Sequence, residues 1–275
     1  MYKIPSFLSL YCIVLLVLCF ACSAEAQNAT KAVNQDTSEG NEKLIVFMVA
    51  EREYKTIESL KSFADSYVLP WSINANVQFT FVVPDAENPN KFHGIEKLKE
   101  ADLLVLSVRR RTLPTEDFAI LHAYLDAGKP LIAIRTASHA FHLRNKAPAA
   151  GHDEWPSFDA DILGHEYEGH FDKKLLPKIS RTTASQAHAL MQDVTDLPFV
   201  SSGSLYQARA LASTAEVLLE GSIIDKGEQY TEPVAWTNQL GDQRIFYTSL
   251  GHPDDFKEPA FLQMMHNAVR WTLER

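Results

Sequence analysis

A histidine and two aspartates follow an apolar run near the end of the chain, in the motif GHPDDF. His252 stands directly before a proline, which restricts the backbone around it. A neighbouring carboxylate, Asp254 or Asp255, could orient the imidazole and stabilise its charged form. An imidazole held in this way is suited to proton transfer. We therefore predict that His252 is a general acid or base and that Asp254 or Asp255 orients it.

A second polar group, RTASH, directly follows the apolar run 130–134. The planar guanidinium of an arginine binds oxygen-rich groups or developing negative charge. We predict that Arg135 takes part in catalysis and that Thr136, Ser138 and His139 bind substrate. The alternative for His139 is a packing role against the helix that follows.

Three further stretches carry polar candidates: 51–56, 109–111 and GHEYEGH at 164–170. They supply two secondary acid–base candidates, Glu51 and His170, and the predicted substrate-binding residues Tyr54, Lys55, Arg109, Arg111 and His165. Successive side chains of an extended stretch point in opposite directions, so at most two of the three arginines can face one site. We expect the middle one, Arg110, to be solvated, and a solvated turn is the alternative for the whole run.

His165 and His170 are the residues most similar to a metal-binding motif. They are five positions apart, which does not match the i, i+4 spacing of two ligands on one helix. The sequence contains no His-x-x-x-His pair. We therefore predict no metal and no cofactor, with a metal-dependent hydrolase that uses these two histidines as an alternative.

The elements that position these residues follow from the apolar pattern. Four short runs are rich in Val, Ile and Leu: 44–49, 77–83, 103–108 and 131–134. Runs that are apolar on both faces are typical of parallel strands covered by helices. Helical periodicity appears at 57–64, at 115–127 and after Pro259. This alternation predicts an α/β fold with a doubly wound, mostly parallel sheet, whose carboxyl ends bring the polar groups to one edge.

The alternation stops between Arg144 and Gly203, a stretch with several prolines and histidines. We interpret it as a long excursion on the ligand side of the sheet and not as a second domain.

The start of the chain has the pattern of a signal peptide. Lys3 precedes an apolar stretch, and the small-residue motif AEA ends at Ala26. We predict cleavage after Ala26 and a periplasmic or secreted protein; an uncleaved anchor and a lipoprotein modified at Cys22 are the alternatives. The predicted division is a signal peptide at 1–26, a flexible tether at 27–42 and one domain at 43–275.

The composition excludes several classes of function. All three cysteines, Cys12, Cys19 and Cys22, lie in the predicted signal peptide. The mature chain would therefore have no disulfide, no thiolate metal site and no cysteine nucleophile. The net charge of −9 makes nucleic acid and anionic membranes poor partners.

Several sequence pieces in order resemble the ThuA-like (trehalose-utilisation) family. They are YKT at 54–56, AGKPLIAIRTASHAF at 127–141, ILGHEYEGHF at 162–171, EPVAWTN at 232–238, RIFYTSLGHPDDF at 244–256 and NAVRWTLE at 267–274. The resemblance implies a flavodoxin-like, three-layer fold similar to the class I glutamine amidotransferases but without their nucleophilic cysteine. Arg135 stands at the position of that cysteine, where many relatives have histidine. His165 replaces a glycine that is frequent in the family.

The resemblance also implies a role in carbohydrate metabolism, with oxidised (keto) sugars as plausible intermediates. We predict acid–base chemistry on a carbohydrate or keto-sugar without a covalent cysteine step. A non-catalytic sugar-binding or scaffolding domain is the alternative from a different class. Aromatic side chains that could form a sugar platform are Tyr54, Phe141, Trp155 and Tyr167.

Overall fold

The computed structural model describes residues 42–274, which form a mixed α/β fold around one ten-stranded sheet. The predicted signal peptide and nearly all of the predicted tether lie outside the described residues. Within residues 42–274, no helix is long and apolar enough to cross a membrane.

Fourteen strands are present among the described residues: β1 (Lys43–Ala50), β2 (Val77–Pro84), β3 (Phe92–His93), β4 (Leu103–Val108), β5 (Leu113–Pro114), β6 (Leu131–Ile134), β7 (His152–Asp153), β8 (Glu166–His170), β9 (Lys178–Arg181), β10 (Phe199–Val200), β11 (Tyr206–Arg209), β12 (Glu216–Asp225), β13 (Glu228–Leu240) and β14 (Gln243–Thr248). The α-helices are α1 (Thr56–Phe63), α2 (Leu69–Ala75), α3 (Thr115–Asp126) and α4 (Pro259–Leu273). The four predicted strands and the three predicted helices are confirmed to within one or two residues.

One half of the large sheet is parallel, with the strands in the order β14-β6-β4-β1-β2. β1, β4 and β6 are buried along nearly their whole length, as expected for strands apolar on both faces. The carboxyl ends of parallel strands lie at one edge of a sheet. This edge is therefore where the loops after β1, β4, β6 and β14 meet.

The other half is antiparallel, in the order β10-β9-β12-β13-β14, and β3 adds an antiparallel strand beside β2. The sheet is therefore mixed, and the expectation of a mostly parallel sheet describes only one half of it. The stretch 144–203, predicted as a loop excursion, supplies β9 and β10 to this sheet, and its β8 pairs with β11. Residues of β8 alternate between exposed and half-buried, so the strand lacks the apolar run that identified the parallel strands.

Alternate residues of the parallel strands enter two separate hydrophobic clusters. In β1, Phe47 belongs to one cluster and Met48 to the other. The first cluster also holds side chains of α1 and α4, and the second holds side chains of α3. Burial on both sides fixes the register of the strands, because a shift of one residue would exchange the two faces.

Candidate functional site

Arg135 occupies the turn directly after β6 and is almost completely buried, with 2% of its surface exposed. Its backbone has a left-handed φ of 47°, an uncommon conformation for a side chain other than glycine, asparagine or aspartate. The guanidinium Nη1 donates a hydrogen bond to the carbonyl of Ser249, 2.7 Å away, in the loop after β14. Arg135 therefore ties the ends of two neighbouring strands together.

Two aromatic rings enclose the guanidinium of Arg135. Its central carbon lies 4.4 Å from the ring centre of Tyr54 and 4.9 Å from that of Tyr206. Gly203 lies close as well, since a Cβ there would be 2.6 Å from Nη1 of Arg135. Nη2 of Arg135 lies 3.5 Å from the hydroxyl of Ser204. The charge is thus stabilised by cation–π contacts and hydrogen bonds within the protein.

The electrostatic surroundings keep Arg135 charged. Burial alone would lower the pKa of Arg135, but the interactions with Tyr206, Tyr54 and Asp255 outweigh burial and raise the pKa above its ordinary value. A permanently protonated guanidinium is no nucleophile. This turn can supply positive charge but no covalent acyl intermediate.

His252 is the more accessible of the two central candidates, with 27% of its side chain exposed. Its ring meets the edge of the Tyr54 ring at a centroid distance of 5.9 Å. Tyr54 thus contacts both His252 and Arg135. The predicted shared pocket of these two residues stays a prediction, and the geometry joins them through one tyrosine ring.

Nδ1 of His252 has two neighbours in Asp254. The backbone N–H of Asp254 lies 3.3 Å from Nδ1, and the carboxylate Oδ2 lies 3.5 Å from it. A neutral ring with an unprotonated Nδ1 can accept from the N–H, whereas a protonated ring can donate to the carboxylate. Proton uptake by His252 would therefore exchange one Asp254 contact for the other.

Asp254 and Asp255 have different contacts and different roles. Asp255 is fully buried, and its carboxylate accepts hydrogen bonds from the backbone N–H groups of Gly251 and His252 (2.8 and 2.9 Å) and from the Ser201 hydroxyl (2.7 Å). Asp254 is half-exposed; its pKa is lowered by the hydrogen bond from Lys257, with a further contribution from Ser202. Asp255 shapes the loop, and Asp254 is the carboxylate beside the imidazole.

Glu51 holds the loop after β1. Its buried carboxylate accepts from the backbone N–H groups of Glu53 (2.8 Å) and Tyr54 (2.7 Å) and from the Thr56 hydroxyl (3.2 Å). These bonds place the Tyr54 ring, and they occupy both oxygens of the predicted acid–base group. Lys55, the next residue, is exposed and has a left-handed φ of 49° directly before α1.

The arginine run after β4 differs from the expectation at its middle residue. Arg110 has a left-handed φ of 49°, which breaks the extended alternation, and it is half-buried with a fully buried Nη1. The expectation that Arg110 is solvated was wrong for this reason. Its backbone N–H bonds the carbonyl of His139 at 3.1 Å, which joins the run to the turn that begins at Arg135.

The outer two arginines have separate neighbours. Arg109 forms an ion pair with Glu53 at 3.0 Å. Arg111 is half-buried, and burial lowers its pKa, with further lowering by Arg52 and Arg109 that Glu51 opposes. Both residues lie directly after β4, at the predicted edge of the sheet.

The remaining residues of the turn after β6 are buried. The Ser138 hydroxyl lies 3.0 Å from Nδ1 of His139, and the His139 ring stacks on Tyr167 at 4.6 Å. Burial lowers the pKa of His139 to about 2, with smaller contributions from Arg110 and Arg109. His139 is therefore neutral at ordinary pH. Thr136 is completely buried, and its hydroxyl has no hydrogen-bond partner within residues 42–274.

His165 and His170 lie in different surroundings. His165 is buried between Trp236 and Tyr247, at ring distances of 4.8 and 4.9 Å, and burial lowers its pKa to about 3. His170 is exposed on β8, where its Nδ1 lies 2.8 Å from the carbonyl of the next residue. Among the described residues, no three His, Cys, Asp or Glu side chains form a group that could hold a metal ion.

Sequence reasoning missed Tyr206 and Gly203, which enclose Arg135. Tyr206 lies on β11 and is placed by pairing with β8, so its position depends on a contact between distant segments that periodicity does not reveal. Two of the proposed platform residues lie elsewhere: Phe141 is buried in the core, and Trp155 stacks on His122 at 4.4 Å.

Solved structures place the fold in a recognisable class. A ThuA-like protein from Bacteroides uniformis has a TM-score of 0.61 and 15% identity, over 89% of this chain and 96% of its own. One from Parabacteroides merdae has a TM-score of 0.58 and 16% identity, over 84% and 90%. The carbohydrate deacetylase Agd3 has a TM-score of 0.54 and 14% identity, over 84% of this chain and 32% of its own. These similarities define an α/β protein with a ThuA-like fold.

The family follows from the sequence itself. The model of the ThuA family, described as trehalose utilisation, matches residues 43–272, and the chain belongs to that family. The resemblance drawn from the motifs is thereby confirmed. No curated protein matches the chain at a significant level.

Proposed function

We propose that this protein acts on a carbohydrate or keto-sugar by acid–base chemistry at the carboxyl edge of the parallel strands. The family description, trehalose utilisation, and the fold shared with the carbohydrate deacetylase Agd3 support a carbohydrate as the ligand class. Neither the substrate nor the reaction follows from fold similarity alone. The chemistry is argued from the residues around His252.

The geometry of His252 is the observation that carries the proposal. Its imidazole is partly exposed, a carboxylate lies 3.5 Å from Nδ1, and Tyr54 packs at its edge. A positioned imidazole whose Nδ1 faces Asp254 presents its other nitrogen for proton transfer. Asp254 would stabilise the ring when it carries the proton.

Arg135 has a supporting role in this proposal. Its buried positive charge lies behind the Tyr54 ring and is fixed by the Ser249 carbonyl. A fixed cation near the reacting atoms stabilises negative charge that develops on a sugar oxygen. Because arginine cannot form an acyl-enzyme, we expect no glutaminase activity despite the amidotransferase-like position of Arg135.

The test is turnover of disaccharides and their keto derivatives by purified protein. We expect His252→Ala to lower the rate by about 10²–10⁴, the usual contribution of one acid–base group. The matched control is His93→Ala, because His93 is an exposed histidine paired with Asp85 on the short strand β3. Turnover that is equally fast in wild type and in His252→Ala would contradict the proposed role.

A non-catalytic sugar-binding or scaffolding domain is the second candidate. It is favoured by the burial of Arg135 and by the contacts of Glu51, whose two carboxylate oxygens are both occupied by hydrogen bonds within the protein. Sugar binding without turnover of any tested substrate, unaffected by His252→Ala, would support this candidate over the first.

We infer further that the helices cover both faces of the sheet in a three-layer, doubly wound arrangement. The two hydrophobic clusters, one with α1 and α4 and the other with α3, support this inference. We also infer export to the periplasm or the medium, from the signal-like pattern that ends at Ala26. The proposed partner is a small carbohydrate and not nucleic acid.

A further inference from the structure

A groove opens between α1 and the start of α4, two helices whose side chains share one hydrophobic cluster. Its volume is about 390 Å³, within the range of roughly 300–1,000 Å³ that is usual for small-molecule sites. Two segments of the chain form its walls, 55–67 and 253–262. Nearly all of its lining side chains are exposed or half-buried, so a ligand can reach the groove from solvent.

The groove begins directly beside the candidate acid–base group. The rings of Tyr54 and His252 lie 5.9 Å apart, and the residue that follows each of them, Lys55 and Pro253, lines the groove. Neighbouring Cα atoms of a chain are only about 3.8 Å apart. The side chain of His252 is 27% exposed, and Tyr54 is half-buried. A ligand at the imidazole can therefore extend into the groove.

Three serine hydroxyls lie on the α1 side of the groove. Ser59, Ser62 and Ser66 are separated by three and four residues, so they share one face of the helical segment. Ser66 belongs to a π-helical turn, Ala64–Val68, that continues α1, and such turns are rare and frequent at functional sites. Within residues 42–274, none of the three hydroxyls forms a hydrogen bond. Each can therefore donate to and accept from a ligand.

Two half-buried aromatic rings, those of Tyr67 and Phe256, also line the groove. Phe63 stacks on Tyr67 at 5.7 Å, and Phe261 meets Phe256 edge to face at 5.1 Å, so both rings are held by a second ring. Fixed rings with a few polar groups beside them are the usual lining of a small-molecule site.

The charges along the groove nearly cancel. Lys55 and Glu58 are both exposed and have opposite signs, and Lys257 is paired with Asp254 at 2.6 Å. The groove therefore has no excess charge that would select an anionic or a cationic group. Its hydroxyls and rings match a neutral ligand that is rich in hydroxyl groups.

We propose that this groove binds the second sugar unit of a neutral disaccharide or longer oligosaccharide whose reacting unit lies at His252. The inference rests on the proposed carbohydrate function and names its substrate class. Serine hydroxyls bind the hydroxyls of the second unit, and the rings of Tyr67 and Phe256 cover its apolar face. A monosaccharide fills the site at His252 and leaves the groove empty.

The test measures affinity by calorimetry with glucose and three disaccharides of glucose that differ in linkage: maltose, cellobiose and trehalose. Wild type should bind at least one disaccharide about tenfold more tightly than glucose, the effect of one or two additional hydrogen bonds. The preferred disaccharide identifies the linkage that directs the second unit into the groove.

Ser62→Phe should reduce this preference from about tenfold to near one, because the new ring fills the groove from an exposed position. Ser62→Ala removes only the hydroxyl and should lower the preference about two- to fivefold. The matched control is Asp65→Phe, which adds the same ring at an exposed position of the same segment outside the groove lining. It should keep the full preference.

Hydrogen exchange locates the bound sugar in wild type. The preferred disaccharide at saturation should slow exchange in segments 58–67 and 253–262, because binding opposes local opening of the elements it contacts. Saturating glucose should protect segment 58–67 much less.

Equal affinity for glucose and all three disaccharides would overturn the groove, as would a preference that Ser62→Phe retains or that Asp65→Phe loses equally. Failure to bind any of the four sugars also overturns it. Turnover by His252→Ala tests the acid–base function separately. Disaccharides that are turned over without any preference over glucose would contradict the groove alone, and a preference with turnover unaffected by His252→Ala would contradict the acid–base role alone.

Discussion

Three of the candidate histidines differ in burial. His139 and His165 are buried, and burial lowers the pKa of His139 to about 2 and that of His165 to about 3. Both are neutral in the folded protein at ordinary pH and cannot donate a proton there. His252 is partly exposed and lies beside a carboxylate. The acid–base role proposed for His252 therefore does not extend to the other two.

The buried histidines predict a pH dependence of stability. In the unfolded chain a histidine takes up a proton near its ordinary pKa of 6.5, while folded His165 resists protonation down to about pH 3. The contribution of the buried, neutral histidine to the free energy of unfolding is therefore fully present above pH 6.5. This contribution is lost as the pH drops from 6.5 towards 3. Each such histidine should contribute a slope of about 1.4 kcal/mol per pH unit in this window. Urea unfolding between pH 4 and pH 8, at about one-unit steps, measures it.

His165→Leu should reduce that slope and leave stability at neutral pH equal or higher, because both ring nitrogens of His165 lack partners among the described residues. The control is His93→Ala, which removes an exposed histidine on β3 and is measured over the same pH range. An unaltered slope in His165→Leu would mean that His165 is already protonated or hydrated in the folded protein.

Sequence patterns located the loops of the site better than the orientation of their side chains. The positions of Arg135 and His252 after β6 and β14 follow from apolar runs and were predicted correctly. The inward turn of Arg110 depends on one left-handed dihedral angle, and the Tyr206 contact depends on pairing with β8. Neither leaves a periodic signal, so neither was predictable from one sequence.

At the scale of elements, the loop after β14 is held from within by one buried carboxylate. Asp255 binds two consecutive backbone N–H groups of this loop and the Ser201 hydroxyl of a distant segment. The backbone of the loop that presents His252 is thus held in place by the carboxylate of Asp255. The same element contains Asp254, which is exposed, so the two aspartates form a natural comparison.

Asp255→Asn should destabilise the protein by about 2–3 kcal/mol, because an amide has only one acceptor oxygen and leaves buried N–H or hydroxyl groups unpaired. Asp254→Asn should change stability little, because its ion pair with Lys257 is on the surface. Chemical unfolding of the two variants compares them directly. Equal losses at the two positions would show that Asp255 does not hold the loop.

The elements themselves were predicted unevenly. The parallel strands are apolar on both faces and were found with nearly correct bounds. β12 and β13 were missed because their exposed and buried residues mix along each strand, and the register shifts within β12. A strand that is half-solvated leaves a weaker pattern than a buried one.

At the scale of the whole molecule, the charge of one loop at the candidate site is opposite in sign to the net charge of the chain. The chain has 35 acidic and 26 basic residues, yet three consecutive arginines, Arg109 to Arg111, directly follow β4 at the edge that holds the candidate site. A local positive field in an acidic protein attracts small anions to one place while the remaining surface repels large polyanions. The net negative charge is the basis on which we propose a small ligand, and not nucleic acid, as the partner.

The predicted export is also a property of the whole chain. If the AEA motif is a cleavage site, the mature protein begins at Gln27 and contains no cysteine. N-terminal sequencing and intact mass of protein recovered from the periplasm or medium measure this. An intact Met1, or an acylated Cys22, would contradict it.

The ten-stranded sheet ends on both sides in strands of only two residues, β3 and β10. Open strand edges are the template on which β-rich proteins join into fibrils, and a long, flat edge carries the greatest risk of aggregation. Here a wide sheet offers each neighbour only a few unpaired backbone groups. The protein should therefore resist strand-by-strand aggregation at high concentration, and a deletion that removed either short strand would expose a longer edge, that of β2 or β9, to self-association.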